Sequence, residues 1–94
     1  NLTKIKYKSS VWWANYYDIG HHAEIHSHQP EDISSIVFIK TDESNPLYFD
    51  FEPGVLNVEE EDGLVLLFDS KIKHKVRPCK NERISLAIDF VKDI

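Results

Sequence analysis

Three histidines in the chain have the residue type and spacing of a metal site. His26 and His28 are separated by one residue, and His74 lies much further on, between Lys73 and Lys75. Residues i and i+2 of a β-strand point to the same face, so this pair can direct two imidazoles at one point. The flanking lysines favour water, so we expect His74 to turn inward. Three converging neutral imidazoles suit a divalent transition metal; the alternative is ordinary surface or core histidines.

Composition limits what else the chain can be. Its 94 residues are 41% hydrophobic and include five Phe, four Tyr and two Trp, enough for one compact domain over 1–94. The net charge of −5 argues against a nucleic-acid partner, because no basic face is available to neutralise phosphates. We find no apolar run of membrane length and no signal peptide, so we expect no membrane partner. Cys79 is the one cysteine, which favours the reducing cytoplasm.

The hydrophobic pattern predicts an all-β fold. Short β-rich runs are separated by turn signals about every ten residues, and no stretch shows sustained helical periodicity. Eight or nine short strands in one small chain fit a jelly roll. The predicted strands are Lys4–Lys8, Val11–Asp18, Ala23–His28, Ile33–Lys40, Leu47–Phe51, Val55–Val58, Leu64–Phe68, Lys73–Arg77 and Arg83–Val91.

The histidine spacing resembles that of the cupin superfamily. Gly20, five residues and then His26-x-His28 match the first cupin motif, and Gly63 followed eleven residues later by His74 matches the second. The resemblance implies a double-stranded β-helix, the jelly roll of cupins. Where that first motif carries its glutamate, this chain has an aspartate.

Two acidic residues are candidates for supporting the histidines. Asp32 occupies the position of the cupin glutamate, and it is the candidate for a fourth, acidic ligand if the site is cupin-like. Glu24 shares the predicted strand face of His26 and His28, so it could accept a hydrogen bond from an imidazole N–H.

A second resemblance extends over most of the chain. It is similar to a family of small 2-oxoglutarate–Fe(II) oxygenases, which share the double-stranded β-helix with cupins. The matching segments, in order, are Trp13-Ala14-Asn15, Gly20, His26-x-His28, Ser34 to Ile39, Gly63 to Phe68, His74-x-Val76 and Arg83-Ile84-Ser85. The chain departs from the family at Ser35, where glycine is usual. Oxygenases of this fold also more often hold iron with His-x-Asp and a distant His, whereas position 28 here is His.

The second resemblance implies a cofactor, a cosubstrate and residues to hold them. His26, His28 and His74 would bind Fe(II), although Zn, Mn or Ni also suits three imidazoles. Arg83 would anchor the distal carboxylate of 2-oxoglutarate, because its planar fork binds a carboxylate bidentately. Ser85 could add a hydroxyl donor. The alternative for Arg83 is a surface arginine paired with an acid.

Asn15 is the third residue assigned to the cosubstrate. It could hydrogen-bond 2-oxoglutarate or a metal-bound water, and the alternative is an amide satisfied in the core. No catalytic residue is expected beyond the metal site. The primary substrate, a small molecule or a protein side chain, is not identified by the sequence.

The last predicted strand has two faces that compete for the interior. Its apolar face carries Ile84, Leu86 and Ile88, and its opposite face carries Arg83 and Ser85. If Arg83 points inward, the apolar face lies outside and needs cover, which no helix of this chain provides. We therefore expect an inward Arg83 to accompany a packed outer sheet or a homodimer.

Three functions are consistent with these residues. The first is a non-haem Fe(II)/2-oxoglutarate-dependent dioxygenase of the hydroxylase type. The second is a small metal-binding cupin that does not use 2-oxoglutarate, and the third is a non-catalytic jelly-roll interaction protein. Arg83 discriminates between the first two, and metal content discriminates the third from both.

Overall fold

The computed structural model describes residues 5–93, and within them the chain is all-β. Alternation of apolar and polar side chains, with turn residues at short intervals, produces strands rather than helices here. The strands are β1 (Tyr7–Tyr17), β2 (Ala23–His26), β3 (Ile33–Lys40), β4 (Leu47–Phe51), β5 (Gly54–Asn57), β6 (Val65–Asp69), β7 (Lys73–Val76) and β8 (Arg83–Lys92). The described residues contain no helix that is long and apolar enough to span a membrane.

The eight strands form two four-stranded antiparallel sheets. Sheet I has the order β1-β8-β3-β6 and sheet II has the order β2-β7-β4-β5. Strands that are distant in the chain are therefore neighbours in each sheet, as in a jelly roll. The hydrophobic core lies between the sheets and includes Ile36 and Phe38 from sheet I and Leu47, Phe49 and Val76 from sheet II.

The first two predicted strands, Lys4–Lys8 and Val11–Asp18, correspond to one continuous strand in the structure. A break was expected after Lys8, but β1 continues to Tyr17 along β8, with a register irregularity between Ser9 and Val11. A bulge accommodates the extra residue without ending the strand. Lys4, where the first prediction began, lies outside the described residues.

The orientation of β8 settles which of its faces is internal. Arg83, Ser85 and Ala87 are buried between the sheets, and Ile84 and Leu86 alternate with them on the outer face, half-buried. Within residues 5–93, no element lies over that outer face. β1 pairs beside β8 in the same sheet and does not cover it. The inward orientation of Arg83 thus leaves an apolar outer face.

Candidate metal centre

Strands of sheet II bring the three histidines together. His26 on β2 lies directly opposite His74 on β7, so their side chains share one face of the sheet. His28 lies two residues past the end of β2, where its backbone N–H donates to the carbonyl of Ser70 at 2.9 Å. This hydrogen bond holds the short segment after the strand, so the His26–His28 pair converges although regular pairing stops at His26.

The three rings form one compact cluster. Ring centroids are 5.2 Å apart for His26 and His28, 4.3 Å for His26 and His74, and 4.8 Å for His28 and His74. One nitrogen from each ring lies within 4.8 Å of the other two. Among the described residues this is the one group of three or more His, Cys, Asp or Glu side chains so arranged.

The other nitrogen of each ring is held by an acceptor. Nδ1 lies 2.6 Å from the Glu24 carbonyl for His26, 2.9 Å from Asp89 Oδ1 for His28, and 3.2 Å from the Ile72 carbonyl for His74. A ring nitrogen facing a carbonyl or carboxylate carries the proton, which leaves the Nε2 lone pair for a metal. The donor set therefore fits a divalent transition metal: three imidazoles whose tautomers are fixed by acceptors outside the cluster.

Burial keeps His74 in the form that binds metals. The ring is 2% exposed and packs against Phe49 and Phe68, with centroids 5.9 and 5.2 Å away. This desolvation lowers the pKa of His74 to about 4, while the hydrogen bond to Ile72 opposes the shift. His74 is consequently neutral near pH 7 and able to offer a lone pair. The sequence prediction that its side chain turns inward is confirmed.

Sequence reasoning missed Asp89. Its side chain is 4% exposed, and its two carboxylate oxygens lie 2.9 and 3.2 Å from His28 Nδ1. The signal was present in the alternation of β8, because Asp89 shares the inner face with Arg83 and Ser85. Without the sheet order, nothing indicated that this end of β8 would reach His28, which is 61 residues earlier in the chain.

A cavity of about 260 Å³ begins at the histidines and reaches Arg83. This volume lies just below the roughly 300–1,000 Å³ that is typical of ligand pockets, so the cavity suits only a very small molecule. The residues expected to hold a cosubstrate, Arg83, Ser85 and Asn15, all line it. The complete lining is Trp13, Asn15, Tyr17, Ala23, His26, His28, Ile36, Leu47, His74, Val76, Arg83, Ser85 and Ala87.

Arg83 is held inside the protein by a carboxylate that was not predicted. Its Nε donates to both oxygens of Glu60, at 2.9 and 3.0 Å, and both side chains are almost completely buried. Glu60 belongs to a run of four acidic residues that has the pattern of a solvated loop, so no pattern in the sequence distinguishes it from its neighbours. The surface position in the alternative for Arg83 is therefore wrong, whereas its pairing with an acid is observed.

The ion pair uses one side of the guanidinium. Arginine has five N–H donors, and Glu60 is bound through Nε, which leaves the four donors of the Nη groups outside this pair. The guanidinium carbon lies 5.1 Å from the centre of the Tyr17 ring and 5.5 Å from that of Phe38. The two aromatic rings thus restrict the orientation of the guanidinium plane.

Asn15 and Ser85 are directly opposite each other on β1 and β8. The carbonyl oxygen of Asn15 accepts a hydrogen bond from Trp13 Nε1 at 3.1 Å, which orients the amide. Its NH₂ group is not used by this bond and can donate to a ligand in the cavity. Ser85 is 3% exposed and contributes a hydroxyl to the same wall.

The two acidic candidates do not join the cluster. The Asp32 carboxylate accepts a hydrogen bond from the backbone N–H of Lys92 at 2.8 Å. It is therefore directed at the end of β8 and not at the histidines. The Glu24 carboxylate instead bonds His22 Nε2 at 2.8 Å. Glu24 supports His26 through its backbone carbonyl, which any residue could provide.

Comparisons with known proteins place the fold. No protein-family model matches the chain, and no curated protein matches it significantly. Among solved structures, an oxidoreductase of the 2OG-Fe(II) oxygenase family from Burkholderia pseudomallei superimposes with a TM-score of 0.85 at 16% identity, covering 95% of this chain and 47% of that one. A prolyl-4-hydroxylase from Pseudomonas putida gives 0.74 at 21% identity, covering 87% and 52%.

A cupin domain from Bordetella pertussis is also similar. Its TM-score is 0.64 at 13% identity, and the match covers 92% of both chains. The fold is therefore the double-stranded β-helix shared by cupins and 2-oxoglutarate oxygenases, as predicted. The chain spans about half the length of the two oxygenase structures.

Proposed function

We propose that this chain is a non-haem Fe(II)- and 2-oxoglutarate-dependent dioxygenase of the hydroxylase type. The observation that supports this most strongly is the position of Arg83. The three-histidine cluster and a buried guanidinium line one small cavity, as a bidentate 2-oxo acid with a distal carboxylate requires. A metal site without this cosubstrate needs no cation at that position.

In this proposal His26, His28 and His74 hold the iron through Nε2. Three ligands leave coordination positions open for a bidentate 2-oxo acid and for O₂. When bound, Fe(II) and 2-oxoglutarate supply the oxidising chemistry: 2-oxoglutarate, O₂ and a C–H bond become succinate, CO₂ and an alcohol.

The protein's part is to bind and orient the cosubstrate. Arg83 would receive the distal carboxylate on its Nη groups, with its plane fixed by Glu60 and the aromatic rings. Ser85 Oγ and the Asn15 amide would donate further hydrogen bonds to the oxygens of the cosubstrate. The apolar walls formed by Ile36, Leu47 and Val76 limit water around it.

Calorimetric titration of the Mn(II)-loaded protein with three small acids tests this assignment. 2-Oxoglutarate should bind roughly 10- to 100-fold more tightly than pyruvate, which lacks the distal carboxylate, as expected for one charge-assisted hydrogen-bonded pair. Succinate, which lacks the 2-oxo group, should bind weakly. Replacing both members of the ion pair, Arg83→Met with Glu60→Gln, leaves no buried charge unpaired. This double variant should reduce the affinity for 2-oxoglutarate to that for pyruvate and leave Mn(II) binding unchanged.

Equal affinities for 2-oxoglutarate and pyruvate in the unmodified protein would contradict the proposal. They would favour the second candidate, a small metal-binding cupin that does not use 2-oxoglutarate. That candidate is supported by the cupin domain of equal length and by Glu60, which already provides Arg83 with a carboxylate partner. The primary substrate and the cytoplasmic location remain predictions.

A further inference from the structure

The three proposed ligands differ in the group that accepts the hydrogen bond from Nδ1. His26 and His74 face backbone carbonyls, which are neutral acceptors. His28 faces the carboxylate of Asp89, and the two side chains are 7% and 4% exposed. A carboxylate this deeply buried carries a high desolvation cost unless a donor or a positive charge compensates it. Beyond the His28 N–H, the described hydrogen bonds give Asp89 no other donor to its side chain.

The surroundings of Asp89 show that it is directed at His28 alone. Ser34 lies directly opposite it on β3, fully buried, and the Ser34 hydroxyl has no hydrogen-bond partner. Arg83, a buried cation that lines the cavity, is already paired with Glu60. A divalent ion held by neutral imidazoles would bring two uncompensated positive charges into the same interior.

We propose that Asp89 is a positioning residue for metal binding, which fixes His28 with Nδ1 protonated and supplies the negative charge that three imidazoles lack. This inference rests on the proposed metal site and not on the use of 2-oxoglutarate. Non-haem iron oxygenases commonly have two histidines and one carboxylate as ligands. In this chain the carboxylate of Asp89 would not bind the metal directly. It is hydrogen-bonded to the far side of the His28 ring.

Metal titration of Asp89 variants tests the inference. Co(II) absorption, with Zn(II) in competition, gives affinities for the unmodified protein, Asp89→Asn and Asp89→Ala. Removing a carboxylate behind a metal-bound histidine typically weakens affinity roughly 10- to 100-fold, and we expect this loss for Asp89→Ala. Asp89→Asn retains an acceptor for the His28 N–H and loses only the charge, so it should give an intermediate value. Ser34→Ala, a matched change directly opposite, should stay within twofold.

A double-mutant cycle separates positioning from a general structural role. In a His28→Ala background, Asp89→Ala should cause no further loss of affinity if Asp89 acts through His28. An equal loss in both backgrounds would overturn the inference, and so would unchanged affinity in Asp89→Ala. If the Asp89 variants do not fold, ¹⁵N ring spectra of the unmodified Zn(II)-loaded protein decide: Nδ1–H at His28 supports the inference, and Nε2–H overturns it.

Failure of this inference is distinct from failure of the proposed function. If the protein binds Co(II) and the Asp89 series behaves as expected, while 2-oxoglutarate and pyruvate bind equally, the dioxygenase is rejected and the role of Asp89 stands. If 2-oxoglutarate is preferred and Asp89→Ala binds Co(II) normally, the reverse holds.

Discussion

Arg83 and Glu60 form an ion pair in the interior, with Arg83 Nε 2.9 and 3.0 Å from the two carboxylate oxygens. Their positions are set by different parts of the fold. Arg83 begins β8, whereas Glu60 lies between β5 and β6 and is fixed by a hydrogen bond from its own backbone N–H to Asn45 Oδ1 at 2.8 Å. The pair thus connects β8 of sheet I to the segment that runs from β5 of sheet II to β6 of sheet I.

Removing one partner of this pair should strongly destabilise the fold. Glu60→Gln leaves the guanidinium buried without its counter-charge, and we expect a loss of about 3–5 kcal/mol in the free energy of unfolding. Urea unfolding of the metal-free protein measures it. Glu82→Gln is the matched control, because Glu82 pairs with Lys40 at 3.6 Å on the surface and should lose less than about 1 kcal/mol. Similar losses in the two variants would contradict the importance assigned to the buried pair.

Asp42 should make the stability depend on acid pH. Burial alone would raise the pKa of this carboxyl, but hydrogen bonds from Asn81, Ser44 and Lys80 together outweigh burial and lower it. A lowered folded-state pKa adds stability above the unfolded value near 4, and this contribution disappears as pH falls through the folded value. Unfolding free energies measured between pH 7 and pH 2 should therefore fall less steeply below pH 4 in Asp42→Asn.

The control for Asp42 is Glu61→Gln, which changes an exposed acid of the neighbouring run. It should reproduce the acid dependence of the unmodified protein. An unchanged acid slope in Asp42→Asn would show that the hydrogen bonds to Asp42 do not favour its ionised form.

Metal binding should require three of the five histidines. Replacing His26, His28 or His74 singly with Ala should reduce bound metal at equimolar Zn(II), measured by elemental analysis after gel filtration. His21→Ala and His22→Ala are the controls, because His21 Nδ1 accepts from the Asp18 backbone and His22 bonds Glu24. Loss of metal in either control, or its retention in all three ligand variants, would exclude the proposed ligand set.

The outer face of sheet I leads us to expect self-association. Leu67, Trp12 and Tyr16 are 70%, 68% and 57% exposed there, beside the half-buried apolar residues of β8. Apolar patches of this kind commonly mark interfaces. Sedimentation equilibrium should show a homodimer that Leu67→Lys converts to a monomer. A monomer at all concentrations would show that a second copy does not cover the face.

The sequence was sufficient for the fold class and for the histidine cluster. Alternating hydrophobicity and turn residues specify strands locally, and a short His-x-His spacing requires little tertiary context. The orientation of β8 could not be predicted from the local sequence. Either of its faces could be the inner one, and contacts with residues distant in the chain decide which face is buried. Glu60 binds Arg83 in the interior, and Asp89 binds His28 there. Both contacts join residues brought together by sheet order, 23 and 61 positions apart.

Anaerobic titration of the protein with Fe(II) and then 2-oxoglutarate tests the central claim most directly, through the visible charge-transfer absorption of a 2-oxo acid chelated to Fe(II). We predict that the band appears at one equivalent of iron and saturates with 2-oxoglutarate. The double variant Arg83→Met with Glu60→Gln, which leaves no buried charge unpaired, should retain iron and require much more 2-oxoglutarate to develop the band. Iron demonstrably bound with no band at any 2-oxoglutarate concentration would contradict the dioxygenase assignment.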